Sequence, residues 1–409
     1  MASSTRLACI VSLIALPAFA ATPDTAPPPP GIGGERLYVG TGEYNAAQDW
    51  HAILRIEGAH LVNGSVTPQG TVNVKQCKDG SNVRLNFVHT IYVDESRNEM
   101  YVGALFTTSD NHNCGGPYET CGSIGVLSNA SGLNGPQTLS RHIFGPNTLL
   151  DQPHGIWIDR SRNMMYVANT FGGNILVWNN ANTVNGNTAP SRVIGMGQLG
   201  APVHVYVDPA ADRLFAVTMP FGGGKASVVI YNNASTLTGQ PTPSVRITGP
   251  LCRLEAGNNK TTHNVWYSKQ RKLLFVAHHT NEVLIYDLAS VNLNPPAPVD
   301  IDLAPRVLKI NEQDGVDDYG WSAYGLYYLQ GPDRLYVSAG YTPNGTPTQS
   351  GPPQPGSPKN AVKVYDGISD PSKSGVVPPT RIIYWTNGGQ YFPSQPLWIS
   401  TTGGITGFE

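Results

Sequence analysis

Apolar and polar residues alternate in short runs along most of this chain, and one 17-residue pattern of such runs occurs five times. Each copy has two stretches of alternating apolar residues separated by a turn-forming group rich in Asp, Asn, Pro or Arg, which predicts two strands joined by a tight turn. The copies are VHTIYVDESRNEMYVGA from Val88, PHGIWIDRSRNMMYVAN from Pro153, PVHVYVDPAADRLFAVT from Pro202, THNVWYSKQRKLLFVAH from Thr262 and AYGLYYLQGPDRLYVSA from Ala323.

A third apolar run recurs six times, and a fourth, more variable run such as SRVIGMG or SVRITGP follows it. The six third runs are AILRIEG (52–58), SIGVLSN (123–129), NILVWNN (174–180), SVVIYNN (227–233), EVLIYDL (282–288) and AVKVYDG (361–367). Units of four strands that repeat every ~50–65 residues predict the blades of a β-propeller.

The first repeat lacks a first strand of its own, because ERLYVGT from Glu35 matches the second strand of the other repeats. A segment that matches the missing first strand is found near the other end of the chain, in SQPLWISTTGG (394–404). The sequence therefore predicts an all-β, six-bladed β-propeller whose first blade is completed by the C-terminal strand. Such closure removes the free sheet edges that invite aggregation.

The N-terminal residues differ in composition from the repeats and predict two further segments. Residues 1–20 combine Arg6, a short apolar core and the Ala18-Phe19-Ala20 pattern, which is typical of a cleavable signal peptide. Residues 21–34 form a Pro-rich tether, and residues 35–409 form the propeller. The apolar run is too short to span a bilayer. We therefore expect no membrane span and a secreted or periplasmic protein.

Charge and cysteine content narrow the set of partners and the compartment. Only 13% of residues are charged and the formal net charge is −2, with no basic patch, so nucleic acid is not an expected partner. Four cysteines remain once Cys9 leaves with the signal peptide, an even number that suits an oxidising compartment. We expect a monomer with a Cys114–Cys121 disulfide and, by default, a Cys77–Cys252 disulfide.

Histidine occupies the second position in three of the five copies, as His89, His154 and His263. That position opens the first strand of a blade, and the first strands line the central channel, so the three side chains are expected to meet at one axis. Three neutral imidazoles suit one transition metal, with zinc favoured and copper or iron as alternatives, and leave a coordination position open. The competing interpretation is a water-filled channel whose histidines make only structural hydrogen bonds.

Other residues on the same face are candidates for proton transfer. Tyr324 takes the second position in blade 6 and is the expected proton donor or acceptor, with His204 and His278 as reserves. His204 is one position out of register and points into its blade on strict alternation, unless a bulge turns it inward. His278 ends the second strand of blade 5. The carboxylates of Asp314, Asp317 and Asp318 are candidate ligands for a structural calcium ion.

The pattern P-x-G-I-x-I-D…YVAN…I-x-V-W between Pro153 and Trp178 resembles the NHL-repeat propellers. Propellers of that kind include peptidylglycine amidating lyase and virginiamycin B lyase, which act with a bound metal, and also pure interaction modules. The related six-bladed gluconolactonase and paraoxonase groups are hydrolases. The resemblance is one of fold, and fold alone does not select among these functions.

Three functions therefore stay open. The first is an exported metalloenzyme, a lyase or hydrolase, that takes a small molecule, carbohydrate or peptide on the channel face. The second is a non-enzymatic propeller that binds a ligand or a protein. The third is a copper or iron redox enzyme.

Overall fold

The fold is known from a computed structural model, which describes residues 35–42, 52–76, 84–108, 122–220, 226–255, 262–278, 281–310, 321–341, 360–385 and 392–401. The expected signal peptide and the Pro-rich tether lie outside the described residues and stay predictions. The same holds for Cys77, Cys114, Cys121 and the candidate calcium ligands Asp314, Asp317 and Asp318.

Strands dominate the described residues. In chain order they are β1 (Glu35–Gly42), β2 (Ala52–Ile56), β3 (Gly64–Val66), β4 (Gly70–Gln76), β5 (Arg84–Asp94), β6 (Glu99–Thr108), β7 (Ser123–Ser128), β8 (Gly135–Thr138), β9 (Arg141–Ile143), β10 (Pro153–Asp159), β11 (Met164–Asn169), β12 (Asn174–Asn179), β13 (Arg192–Gly195), β14 (Ala201–Asp208), β15 (Arg213–Met219), β16 (Ser227–Asn232), β17 (Val245–Ile247), β18 (Thr262–Ser268), β19 (Leu273–His278), β20 (Glu282–Asp287), β21 (Val299–Ile301), β22 (Arg306–Lys309), β23 (Trp321–Leu329), β24 (Arg334–Tyr341), β25 (Asn360–Asp366), β26 (Gly375–Val376), β27 (Arg381–Trp385) and β28 (Phe392–Thr401). Short 3-10 helices lie at Ala130–Gly132, Pro146–Thr148 and Gly197–Leu199. Across these ranges, no helix has the length and apolar character needed to cross a membrane.

The strands form six sheets, each built on four antiparallel strands, and these sheets are the blades. From the axis outward they are β28-β1-β2-β4, β5-β6-β7-β9, β10-β11-β12-β13, β14-β15-β16-β17, β18-β19-β20-β22 and β23-β24-β25-β27, which we number blades 1 to 6. The innermost strands of neighbouring blades contact one another all the way round the ring. The predicted all-β, six-bladed β-propeller is confirmed.

The C-terminal strand closes the ring as predicted. Strand β28 pairs antiparallel with β1, from Glu35 opposite Thr401 to Gly42 opposite Phe392. It also contacts the innermost strands of blades 2 and 6. The first blade is therefore assembled from both ends of the propeller domain, and its innermost strand is the last to be synthesised.

Each turn between a first and a second strand contains a residue in the left-handed conformation. These residues have φ between 48° and 56° and stand directly before the second strand: Asn98, Asn163, Asp212, Lys272 and Asp333. Asn and Asp tolerate this conformation better than most residues, because their short polar side chains bond to nearby backbone. The turn residues that the repeat pattern indicated are thus explained by backbone geometry.

A feature that the sequence analysis did not predict joins the blades at their outer edges. The segment between the third and fourth strands of each blade reaches back and pairs in parallel with the fourth strand of the preceding blade. The pairs are β3 with β27, β8 with β4, β21 with β17 and β26 with β22, together with single bridges between Ile143 and Gly186 and between Ile194 and Gly239. All six junctions are bridged in this way, which covers the outer edges.

The second disulfide expectation involves Cys252, which carries a free and buried thiol. Its Sγ lies 2.9 Å from the backbone carbonyl oxygen of Gly249, and desolvation by burial raises the pKa of the thiol. The expected Cys77–Cys252 disulfide is therefore not formed in this structure. The default pairing was wrong because the Cys252 thiol is buried and contacts the carbonyl oxygen of Gly249 instead of a second sulfur.

Charged side chains reinforce the junction where the ring closes. The Glu35 carboxylate in blade 1 accepts a hydrogen bond from Arg334 Nη1 of blade 6 at 2.5 Å and another from the Tyr336 hydroxyl. Arg334 Nε also donates to Asp366 Oδ1 at 2.5 Å, and Asp366 pairs with Arg381 at 2.8 Å. The Glu35 side chain is only 13% exposed, so this network is shielded from competing water.

We expect Glu35→Gln to lower the free energy of unfolding by about 1–3 kcal/mol, because a shielded, charge-assisted contact between the first and last blades is lost. Urea unfolding monitored by tryptophan fluorescence measures this change. The matched control is Glu57→Gln, which breaks the Arg36 ion pair at a side chain that is 34% exposed. The control should lose less than about 1 kcal/mol. Equal losses in the two variants would contradict a special role for the closing contact.

Candidate functional site

The first strands of blades 2 to 6 share a β-bulge at the second position of the repeat. In blade 3, Pro153 lies opposite Asn169 but Gly155 lies opposite Ala168, so one extra residue, His154, is inserted between them. The same shift occurs across His89, Val203 and His263, and in blade 6 it falls between Ala323 and Leu326. A bulge re-aims side chains at the end of a strand. It is therefore the bulge that decides which residues face the channel.

After the bulge, the third and fifth positions of the repeat lie on the same face of the strand, toward the axis. The fifth positions carry aromatic rings that meet one another across the ring of blades. Trp157 and Tyr206 have ring centroids 4.3 Å apart, Trp266 and Tyr327 4.4 Å, and Trp157 and Trp266 5.4 Å. Tyr92 joins this set at 5.6 Å from Trp157. These five side chains, which we call the aromatic floor, fill the channel below the histidines.

The sequence analysis missed the aromatic floor. Its signal was visible, because the fifth position is Tyr or Trp in all five copies of the repeat. His204 at the third position was expected to point into its blade unless a bulge turned it inward, and the structure has that bulge. The central space is thus lined by buried aromatic rings at that depth, and we call the space above them the basin.

The histidines gather above the aromatic floor. The rings of His89 and His154 are 4.3 Å apart between centroids and nearly perpendicular, at 87°. His204 stands at the third position of blade 4, so the bulge turns it inward rather than into its blade. Its ring leans across Gly155, where an added Cβ would lie only 3.0 Å from the ring carbon Cδ2 of His204. Glycine at position 155 therefore allows His204 to approach His154.

His263 and Tyr324 extend the cluster toward blades 5 and 6. Their rings are 5.3 Å apart in an edge-to-face arrangement, and both side chains are half-buried. His263 is close enough to His89 to lower its pKa electrostatically. Five of the six predicted site residues are thus brought together at the channel mouth: His89, His154, His204, His263 and Tyr324.

The sixth, His278, lies apart from this cluster. It is fully buried, and its Nε2 is 3.1 Å from the carbonyl oxygen of Leu254. Desolvation by burial lowers its pKa, and the charged side chains near it are Glu282 and Arg253. Glu282 in turn accepts two hydrogen bonds from Arg253, at 2.8 and 2.9 Å. The surroundings of His278 are those of a packing residue that holds a loop of blade 5.

Burial keeps the channel imidazoles neutral. Desolvation lowers the pKa of His154 to about 4, although its hydrogen bond to the carbonyl of Gln152 acts in the opposite direction. Desolvation and then the nearby His154 lower the pKa of His204 to about 3. The pKa of His89 is well below its usual value, through desolvation first and then His154 and His263. At neutral pH these three rings offer lone pairs rather than positive charge.

Neutral imidazoles are the donors that transition metals prefer. Their present placement does not complete a ligand set, since among the described residues no group of three or more His, Cys, Asp or Glu side chains is positioned to hold a metal ion. Metal binding by His89, His154 and His263 stays a prediction.

Among the described residues, three buried polar atoms near the channel have no hydrogen-bond partner. They are Trp157 Nε1 in the aromatic floor, Asn264 Oδ1 at the third position of blade 5 and His204 Nδ1. Buried polar groups usually have partners, so these atoms are points at which a bound molecule would complete the hydrogen bonding.

Comparison with known proteins supports the fold. No protein-family model matches the chain, and no curated protein matches it. Among solved structures, the periplasmic gluconolactonase PpgL of Pseudomonas aeruginosa is 14% identical, with 90% of this chain and 99% of that chain covered and a TM-score of 0.50. A nidogen/laminin complex structure is 14% identical, with 90% and 98% covered and a TM-score of 0.48. The likeness to the gluconolactonase structure shows the fold, and it confirms the fold-level resemblance to propeller proteins.

We expect the free energy of unfolding of His154→Gln to fall less steeply with decreasing pH than that of the wild type. The ring has a pKa of about 4 when folded and about 6.5 when unfolded, so between these values the unfolded chain binds more protons. The free energy of unfolding therefore falls as the pH falls through this window. Removing the ring should reduce that slope by about 1.4 kcal/mol per pH unit.

Urea unfolding at several pH values between about 4.5 and 6.5 measures the slope. The matched control is Asn264→Ser, which alters the packing of the channel without removing a titratable group. Its slope should equal that of the wild type. A His154→Gln slope that also equals the wild type would show that the ring is not held neutral.

Proposed function

We propose that this propeller is an enzyme of the hydrolase or lyase class that acts on a small molecule at the channel mouth. The observation that carries the proposal is the cluster of imidazoles held neutral by burial, next to the half-buried pair of His263 and Tyr324. Perturbed titratable groups that converge in a concave region are typical of catalytic sites.

The two reaction types use the same groups. In hydrolysis of an ester or lactone, an imidazole takes a proton from water, the hydroxide adds to the carbonyl carbon, and the C–O bond breaks as the leaving oxygen receives a proton from Tyr324. In a lyase reaction, an imidazole removes a proton from carbon, a double bond forms, and Tyr324 protonates the leaving group. Both need one base and one acid within reach of the substrate. His263 and Tyr324 are the most accessible such pair in the cluster.

The proposal includes one bound transition metal, with zinc favoured and copper or iron as alternatives, because such metals prefer imidazole nitrogens as ligands. His89, His154 and His263 offer imidazole nitrogens, and the Nδ1–H group of His154 donates a hydrogen bond to a backbone carbonyl, as the second ring nitrogen of metal-bound histidines does. The three rings would have to turn toward a common point, because as placed they do not form a ligand group. When bound, such a metal would supply Lewis-acid polarisation of the substrate.

The channel lining favours an uncharged substrate. The second, third and fifth positions of the five repeats contain no Asp, Glu, Lys or Arg. A charged group that entered this basin would lose its hydration without gaining an ionic partner from these positions. The aromatic floor suits a flat apolar face, so a carbohydrate ring, a lactone or an aromatic compound is favoured over an ionic ligand.

A second candidate is a non-enzymatic binding propeller. The unsatisfied polar atoms Trp157 Nε1, Asn264 Oδ1 and His204 Nδ1 favour it, because a bound ligand would provide their partners without any chemistry. A copper or iron redox enzyme is the third candidate and depends on the metal alone.

The experiment uses the mature, full-length chain. Metal content is measured by plasma mass spectrometry, and turnover is assayed with sugar lactones and p-nitrophenyl acetate. One transition metal per chain and turnover together support the metalloenzyme, and turnover without metal supports catalysis by the side chains. A redox-active copper or iron without hydrolysis favours the third candidate. The absence of both a bound metal and turnover would support the binding propeller.

We expect His263→Gln and Tyr324→Phe each to reduce kcat/KM by about 10²–10⁴-fold, the usual contribution of a general acid or base. The matched control is His60→Gln. His60 accepts a hydrogen bond from the Glu35 amide in blade 1 and takes no part in the channel cluster. Its activity should stay at the wild-type level. Equal activity in all three variants would show that the channel mouth is not the site of reaction.

Export and a monomeric state belong to the same proposal. Cleavage after Ala20 would leave a mature chain that starts near Ala21 and an extended tether before the propeller. N-terminal sequencing of the exported protein tests the first point, and light scattering tests the second.

A further inference from the structure

One histidine of the cluster, His154, has a ring nitrogen in contact with a backbone carbonyl. The Nδ1 atom of His154 lies 3.0 Å from the backbone carbonyl oxygen of Gln152. That carbonyl also accepts a hydrogen bond from the amide of Thr170, at 3.2 Å. It is thus fixed from a second direction.

A carbonyl oxygen can only accept a hydrogen bond. The hydrogen of a neutral His154 ring must therefore be on Nδ1, and Nε2 must carry the lone pair. Of the two tautomers that a neutral imidazole can adopt, the contact with Gln152 favours one. A site that uses His154 as a base or as a ligand would then use Nε2 every time.

The carbonyl of Gln152 has this orientation because the residue is left-handed, with φ of +57°. In blades 2, 4 and 6 the residues that correspond to Gln152 lie inside regular strands: Phe87 in β5, Ala201 in β14 and Ser322 in β23. In blade 3 the strand begins at Pro153, as it does at the equivalent Thr262 of blade 5, so Gln152 lies before the strand. Blade 3 therefore differs from the blades on either side of it at the residue whose carbonyl oxygen contacts the His154 ring.

Surrounding hydrogen bonds hold the loop in this conformation. The Asn169 side chain accepts from the Asp151 amide at 2.5 Å and donates to the Leu149 carbonyl at 2.9 Å. The Thr170 hydroxyl donates to the Pro202 carbonyl of blade 4 at 2.7 Å, two residues before His204. An unusual backbone conformation that is fixed from several sides at a site is typical of a functional constraint.

We propose that Gln152 is a positioning residue, whose left-handed backbone fixes His154 in the Nδ1–H tautomer and leaves Nε2 as the working nitrogen of the site. The use that the site makes of Nε2 rests on the proposed function. The tautomer itself follows from the contact and is measured independently.

The direct test is the tautomer of His154 in the wild-type protein. Nitrogen-15 spectra of the imidazole side chains near neutral pH distinguish a protonated from an unprotonated ring nitrogen, and His154→Gln identifies the resonances. We expect one tautomer, with Nδ1 protonated and Nε2 unprotonated. A ring protonated on Nε2, or an average of both tautomers, would overturn the proposal.

Two substitutions at Gln152 separate the backbone from the side chain. Gln152→Gly retains the carbonyl and adopts positive φ freely, so the tautomer and the activity should stay within about 2-fold of wild type. Gln152→Val disfavours positive φ, because a β-branched side chain clashes with the backbone there. We expect loss of the single tautomer and a fall in kcat/KM of about 10–100-fold, the usual effect of removing a partner that orients a working histidine.

The matched control is Leu149→Val. Leu149 is also left-handed, with φ of +59°, and belongs to the same loop, but its carbonyl bonds to Asn169 and not to His154. This control should lose stability as Gln152→Val does and keep the wild-type tautomer. Equal effects of the two valine variants on the tautomer would contradict a specific role for Gln152. A correct tautomer in a protein without turnover would instead disprove the proposed enzymatic function and leave the positioning intact.

Discussion

The antiparallel pairing of β28 with β1 is the constraint on which the other features of the molecule depend. It brings the two ends of the propeller domain into one blade and turns a row of sheets into a ring. Only in a ring do the first strands of blades 2 and 5, which carry His89 and His263, face one axis. The Glu35–Arg334 contact adds a charged, shielded link at this junction. The six parallel pairings at the outer edges also link every blade to its neighbour.

Within the ring, a single backbone irregularity prepares the site. The bulge at the second position occurs in blades 2 to 6 and changes the alternation of every first strand. It places the third and fifth positions on the channel side, so His204 turns inward and the aromatic residues meet below it. The aromatic floor then excludes water from beneath the imidazoles. Because burial disfavours the charged form of an imidazole, the rings of His89, His154 and His204 are uncharged at physiological pH.

Blade 3 shows how a repeat acquires a specific task. The residue before its first strand, Gln152, takes a left-handed conformation, and its carbonyl oxygen contacts the His154 ring. Gly155 in the same strand makes room for the ring of His204 from blade 4. These two contacts bring a backbone carbonyl and a second imidazole to His154.

The amino-acid sequence by itself determined the blade count, the closing strand, the turns at residues such as Asn163 and the register that gathers His89, His154 and His263. These features follow from alternation and local turn preference, which act over a few residues and repeat. Tertiary structure alone decided that His204 faces inward, that His278 is buried apart, that Cys252 stays unpaired and that Trp157 meets Trp266. Each of these depends on pairing or packing between segments distant in sequence, where a one-residue bulge reverses the direction of a side chain.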